Sequence, residues 1–133
     1  MILLDTTFLI DLLREEKNAV NKVIELENRD ILVTTYVNVY ELLLGVYSIK
    51  GIDYEKKLND IETMLTKIEV LILEKQSAIS SAKIGGKLAL KGQIIGDTDN
   101  MIAGIALSNG IKTIITRDED HFERIEGIKV ESY

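Results

Sequence analysis

Met1-Ile-Leu-Leu-Asp5-Thr-Thr-Phe-Leu-Ile-Asp11 decides the fold. Its apolar start reads as a short strand over residues 2–4 that Asp5 closes. The apolar period then changes, with Phe8, Leu12, Val20, Val23, Ile24 and Leu26 at near-helical spacing, and Arg14 to Asn18 reading as a break between two short helices. The alternation continues outward, with further strands over residues 31–33, 70–73 and 113–116. Strands that alternate with amphipathic helices predict an α/β fold with a mostly parallel sheet.

The helices carry their own punctuation. Thr34 or Thr35 caps the helix that holds Glu41. Asp53 starts a helix over 54–66, whose outer face is heavily charged, and the stretch 75–91 is the longest of all. Gly85-Gly86 weakens that last helix by about 1 kcal/mol per glycine relative to alanine, and permits close packing or a bend. Gly92 terminates it; Asp97 or Thr98 caps the helix of Met101, Ile102, Ile105, Ala106 and Leu107, which Gly110 stops.

One domain over 1–133 is expected, since 133 residues at 46% hydrophobic and 29% charged normally form a single core. Absence of cysteine excludes a disulfide framework and zinc bound through sulfur. No window is apolar enough to span a bilayer and no basic segment opens the chain, so a cytoplasmic protein without membrane contact is expected. A net charge of −6 argues against broad clamping of nucleic acid by Lys and Arg. It leaves room for a nuclease, because metal ions in an acidic cleft invert the local sign.

Acidic residues recur at equivalent places. Asp5 follows an apolar run directly and Asp118 comes just after Ile114-Ile115-Thr116, while Asp99 lies in Gly96-Asp-Thr-Asp99-Asn-Met-Ile-Ala103 and Glu41 in Tyr40-Glu41-Leu-Leu-Leu-Gly45. Ligands of open α/β sheets gather beyond the carboxyl ends of the strands. Asp5 and Asp118 belong there, Asp99 reaches the same edge from the first turn of its helix, and Glu41 does so if its helix leans inward. Carboxylates gathered without cations imply a divalent cation, since a buried carboxylate is expensive unless paired.

In order and separation these segments resemble the PIN-domain ribonucleases, most closely the VapC toxins of type II toxin-antitoxin systems. Asp5-Thr-Thr-Phe-Leu-Ile-Asp11 resembles the opening Asp-Thr-Ser-Phe-Leu-Ile-Asp; Glu41-Leu-Leu-Leu-Gly45 resembles Glu-Leu-x-x-Gly; Asp99-Asn-Met-Ile-Ala103 resembles Asp-x-x-Ile-Ala. Thr116-Arg-Asp118 with Phe122 resembles the last segment, where His121 stands in place of the usual Asp. The resemblance covers essentially the whole chain. It implies a Rossmann-like three-layer sandwich, a homodimer, a cognate VapB-like antitoxin that can place a basic side chain among the acids, and RNA cleavage with Mg2+ or Mn2+ held by Asp5, Glu41, Asp99 and Asp118. Hard oxygen donors suit those ions, and a metal-activated water would attack the phosphorus in line.

Every candidate also has a plain reading. Asp5 can simply cap the next helix, and Asp118 can be a turn residue in a solvated acidic run. Asp97 lies two residues from Asp99 and does not share its face, so only one of them enters the site directly, with Asp97 left to cap or to act through water. Thr6 and Thr116 can bond a carboxylate or a metal water, though threonines at element ends are usually structural. His121, the only histidine, reads as structural rather than as a general base. For RNA contact the candidates are Arg14 and Lys17 after the first helix, and Lys83, Lys87 and Lys91 in one helical row, against the ordinary reading of a solvated face. Aromatics make up 5% of the chain, too few for a stacking platform.

Other classes of function are open to the same residues. A phosphotransferase with an aspartyl nucleophile needs a second Asp two residues on, where this chain has Thr7. A silent PIN scaffold would lack an acid, whereas a PIN nuclease of RNA processing would carry them all.

Overall fold

Successive strand residues face opposite sides of a sheet, and that period builds two cores here. Leu3, Val33 and Ile114 join Leu88, Ile102, Ala103, Ala106 and Phe122 on one face, while Ile2, Leu4, Leu32 and Ile115 join Phe8, Leu9, Ala19, Leu26, Leu42 and Ile61 on the other. The computed structural model describes all residues, 1–133. Its strands are β1 (Ile2–Leu4), β2 (Leu32–Thr35), β3 (Glu69–Leu71), β4 (Thr113–Ile115) and β5 (Lys129–Glu131). They form one sheet in the order β3-β2-β1-β4-β5, parallel at every pairing. The helices are α1 (Thr6–Leu13), α2 (Lys17–Glu27), α3 (Tyr36–Tyr47), α4 (Tyr54–Leu65), α5 (Lys75–Leu90), α6 (Asp97–Ser108) and α7 (Glu119–Phe122). With helices packed on both core faces, the expected three-layer α/β sandwich is present. No helix is long and apolar enough to cross a membrane.

Several boundaries differ from the sequence reading, for identifiable reasons. β2 runs on to Thr35 because its threonines are satisfied while fully buried: the Thr34 hydroxyl donates to Leu4 O at 2.9 Å and Thr35 Oγ1 accepts the Asn38 amide at 3.2 Å. β3 stops at Leu71, and Ile72 and Leu73 leave the ladder for the surface. α6 starts with Gly96 at its N-cap, so neither Asp97 nor Thr98 caps it. Thr35 and Asp53 do cap α3 and α4 as expected. Gly92 and Gly110 adopt φ of +66° and +73° where α5 and α6 end, a conformation that favours glycine. α7 and β5 were not anticipated.

Close packing of α5 on α6 explains one glycine and leaves another free. A Cβ on Gly104 would meet Ser81 Oγ at 2.0 Å, Ser81 N at 2.7 Å and Ser77 O at 2.8 Å, so backbone would have to move. A Cβ on Gly85 would meet Asn100 Nδ2 at 3.0 Å, whereas one on Gly86 would meet nothing within 4 Å. Of the pair, then, Gly85 serves close packing and Gly86 only weakens the helix. Gly86→Ala is expected to stabilise the protein by about 0.5–1 kcal/mol, and Gly104→Ala to destabilise it by about 1–3 kcal/mol through overpacking. Chemical denaturation of the two variants checks the opposite signs.

Candidate metal centre

The strand order reverses between β1 and β4, and the crevice beyond their carboxyl ends is where open α/β sheets place ligands. Asp5 follows β1 there, 2% exposed. It stands at the N-cap of α1 without making a side-chain capping bond, so the cap reading fails. Its carboxylate instead accepts Thr116 Oγ1 at 2.6 Å and Thr7 Oγ1 at 3.3 Å on Oδ2, and Asn38 Nδ2 at 3.1 Å on Oδ1. Burial pushes the carboxyl up to about 6, against the Thr116 hydroxyl and the Thr6 amide, and the charges of Glu41 and Asp99 add to the rise.

Glu41 is half-buried on α3, which leans inward as its role requires. Thr6 Oγ1 donates to Glu41 Oε1 at 2.6 Å, and Thr98 Oγ1 to Oε2 at 3.2 Å. Thr6 in turn accepts Asn38 Nδ2 at 3.0 Å. Asn38 is the hub that sequence reading missed. Its Oδ1 accepts the Thr35 amide at 3.2 Å and hydroxyl at 2.6 Å, closing a capping box at the start of α3, while its amide nitrogen serves Asp5 and Thr6. The available signal was its place three residues after Thr35, where capping boxes usually carry Glu or Gln.

Asp99 comes from the first turn of α6, with Oδ2 at 2.8 Å from His121 Nδ1. Burial raises its carboxyl, His121 opposes the rise, and the Asp118 charge adds to it. His121 therefore belongs to the site as the partner of Asp99, rather than to a purely structural position. Asp118 is exposed at the N-cap of α7, its amide donating to Thr116 Oγ1 at 2.9 Å. Asp97, two residues before Asp99 in the same turn, is exposed and makes no side-chain hydrogen bond. Asp5 thus feels the charges of Glu41 and Asp99, and Asp99 that of Asp118, while Thr6 bonds Glu41 and Thr116 bonds Asp5.

No Lys or Arg forms an ion pair with these acids. Arg117, their nearest sequence neighbour, is taken by Asp11: its Nε lies 2.9 Å from Asp11 Oδ2, which also accepts the Tyr133 hydroxyl at 2.6 Å. Burial, then Asp11, raises the Tyr133 hydroxyl above its ordinary range. That clamp fastens the segment carrying Thr116 and Asp118 onto α1. Arg14 and Lys17 do not approach the acids, because α1 runs back across the sheet; they flank Glu15, which lines a cavity with Ile31 and Glu69 at the amino ends of β2 and β3. Lys83, Lys87 and Lys91 share a separate cleft along α5.

Donor chemistry tests whether a cation fits. The side chains offer carboxylate oxygens, those of Asp5 and Asp99 belonging to groups raised by burial, with no Lys or Arg paired to them, which is the donor set of a hard divalent ion. No three acidic or histidine side chains converge tightly enough to make a cage built of protein alone. An ion held here would have to keep several of its own waters beside one or two direct carboxylates.

Comparison with known proteins places this arrangement. The family model described as "PIN domain" matches residues 2–128. The "tRNA(fMet)-specific endonuclease VapC" of Salmonella typhimurium is 30% identical over 131 residues, covering 98% of this chain and 96% of that protein. "Ribonuclease VapC1" of Haemophilus influenzae is 29% identical over 129 residues, covering 96% of this chain and 93% of its own. Among solved structures, DNA-bound VapBC from Salmonella typhimurium superposes with a TM-score of 0.85 at 30% identity, over 99% of this chain and 98% of that one.

Burial of Asp5 has a thermodynamic signature. With its carboxyl raised to about 6, the folded chain binds that proton more tightly than the unfolded one, so the penalty is fully present above pH 6 and is relieved as pH falls toward 4. In chelator, Asp5→Asn should stabilise the protein at neutral pH by up to about 3 kcal/mol, the gap to wild type closing as pH is lowered. Equal stability at neutral pH would show that the carboxylate is not desolvated.

Proposed function

The chain belongs to the PIN domain family, in its VapC branch, and on that premise we propose that it is a metal-dependent endoribonuclease toxin that hydrolyses RNA phosphodiester bonds in the cytoplasm and is neutralised by a cognate VapB-like antitoxin. The observation that carries this reading is the buried Asp5 carboxylate, ringed by Glu41 and Asp99 at the switch-point crevice and paired with no basic side chain. Such an arrangement costs stability and is explained by the ion it serves.

Asp5, Glu41, Asp99 and Asp118 would hold Mg2+ or Mn2+, which when bound neutralises phosphate charge and makes water a better nucleophile at neutral pH. The protein's own work is positioning. Thr116 and Asn38 fix both oxygens of Asp5, Thr6 and Thr98 fix Glu41, and His121 holds one oxygen of Asp99 so that the other is free to face the crevice. Networks of this kind behind the ligands set their orientation.

Homodimerisation is part of the proposal. Tyr36, Tyr40, Leu44 and Tyr47 form an apolar stripe on α3, 57%, 56%, 49% and 60% exposed, and Ile72 and Leu73 are exposed just past β3. A contiguous patch of that kind marks an association surface more often than scattered apolar residues do. Tyr40→Glu with Leu44→Glu should convert a dimer to a monomer in light scattering; an unchanged mass would move the interface elsewhere.

The decisive assay is cleavage of a mixed panel of structured RNAs with Mg2+, with Mn2+ and with chelator, beside Asp99→Asn purified identically. Metal-dependent cleavage by the wild type, reduced by at least about a hundredfold in the variant, is expected. Equal rates in both would sink the assignment. Millimolar Mg2+ should also raise the melting temperature of the wild type more than that of the variant.

A further inference from the structure

α5 and α6 run antiparallel, since Gly104 meets Ser77 and Ser81 while Gly85 meets Asn100. The last turns of α5 therefore extend past the amino end of α6, which is the end that carries Asp99. On this stretch Lys83, Lys87 and Lys91 recur every four residues, about 6 Å apart along the axis, which is the order of the spacing between phosphates in an extended strand. Arg124, two residues beyond α7, faces them across a cleft of about 380 Å³ that also includes Ile84, Leu88 and Ile125. Glu126 is its only carboxylate, bonded to Lys87 at 2.6 Å. Lys83, Lys91 and Arg124 pair with no acid.

α7 and the residues after it join this cleft to the acidic centre. His121 reaches Asp99, Phe122 is buried in the core, and Arg124 lines the cleft. A solvated helix face would account for the lysine row alone. It does not account for a concave site in which Lys83, Lys87, Lys91 and Arg124, from α5 and the segment after α7, outnumber the one carboxylate of Glu126 in a chain whose net charge is −6. We propose that this cleft binds the phosphodiester backbone of single-stranded RNA flanking the scissile bond, so that the strand leaves the acidic centre past α7 toward the end of α5. The proposal rests on the nuclease reading above. The cleft holds no aromatic side chain, so it grips the backbone and reads no bases.

The test is fluorescence anisotropy of a labelled single-stranded RNA against the full chain carrying Asp99→Asn, which prevents cleavage, across a salt series. Adding Lys83→Ala, Lys91→Ala and Arg124→Ala should weaken binding at least about tenfold and flatten the salt dependence by about 0.7 per cation removed. Glu126→Gln, which releases Lys87, should tighten it several-fold. Lys57→Ala with Lys112→Ala, on other surfaces, should change it by less than about twofold, and circular dichroism confirms folding of each variant. If wild type cleaves RNA but the triple variant binds like its parent with the same salt slope, the cleft proposal alone falls. If the parent binds no RNA and wild type cleaves none, the nuclease reading falls and takes the cleft with it. Cleft-dependent capture of poly-glutamate without cleft-dependent RNA binding would overturn the proposal in favour of an acidic protein segment.

Discussion

A carboxylate removed from water at the end of the central strand is the constraint on which this structure turns. Asp5 sits between the two halves of a parallel sheet, and an ionised group there is tolerable only when each oxygen has a donor. The donors come from distant parts of the chain: Asn38 from the first turn of α3, Thr116 from the end of β4, Thr7 from α1. Each is itself committed. Asn38 closes the capping box of α3, Thr116 accepts the amide of Asp118, and Thr7 accepts the amide of Arg117. Folding and site assembly are thus the same hydrogen-bonding problem, and a substitution that frees one donor disturbs a helix start or a loop as well as the acid.

The electrostatic layout follows. In this acidic chain, Lys and Arg side chains are kept out of ion pairs with Asp5, Glu41, Asp99 and Asp118 and gather elsewhere. Asp11 engages Arg117, while Lys83, Lys91 and Arg124, none of them in an ion pair, line the cleft of α5. Charge is separated over a short distance rather than averaged.

Much of this was legible in the sequence, because the apolar periods were clean. Alternating strands and amphipathic helices gave the sandwich; Asp5, Asp99 and Asp118 were visible as acids placed at element ends, and Glu41 as an acid within an otherwise apolar helical stretch. What was hidden depended on satisfaction rather than polarity. Thr34, Thr35, Asn38 and Asp11 are polar in composition yet buried, and only their partners, 30 residues or more away for Thr34 and Asp11, explain it. β5 is an edge strand of three residues with one apolar side chain, and α7 is a single acidic turn; neither is long enough to show a period. That Arg14 and Lys17 lie past the far end of α1 from Asp5 was not legible, because spacing does not give the direction of α1 across the sheet.

Strand order also governs when the centre can exist during synthesis. β1 precedes the other strands but sits in the middle of the sheet, and one of its flanking strands, β4, follows β2 and β3. The bond from Thr116 to Asp5 closes a loop of 111 residues, and pairings so far apart in sequence form late and slowly. On the ribosome, Asp5, Glu41 and Asp99 have all emerged before β4 is available to order the first of them. A nascent chain that has not yet reached β4 therefore carries Asp5, Glu41 and Asp99 but lacks the strand that aligns the first of them, and the centre assembles only after β4 is in place.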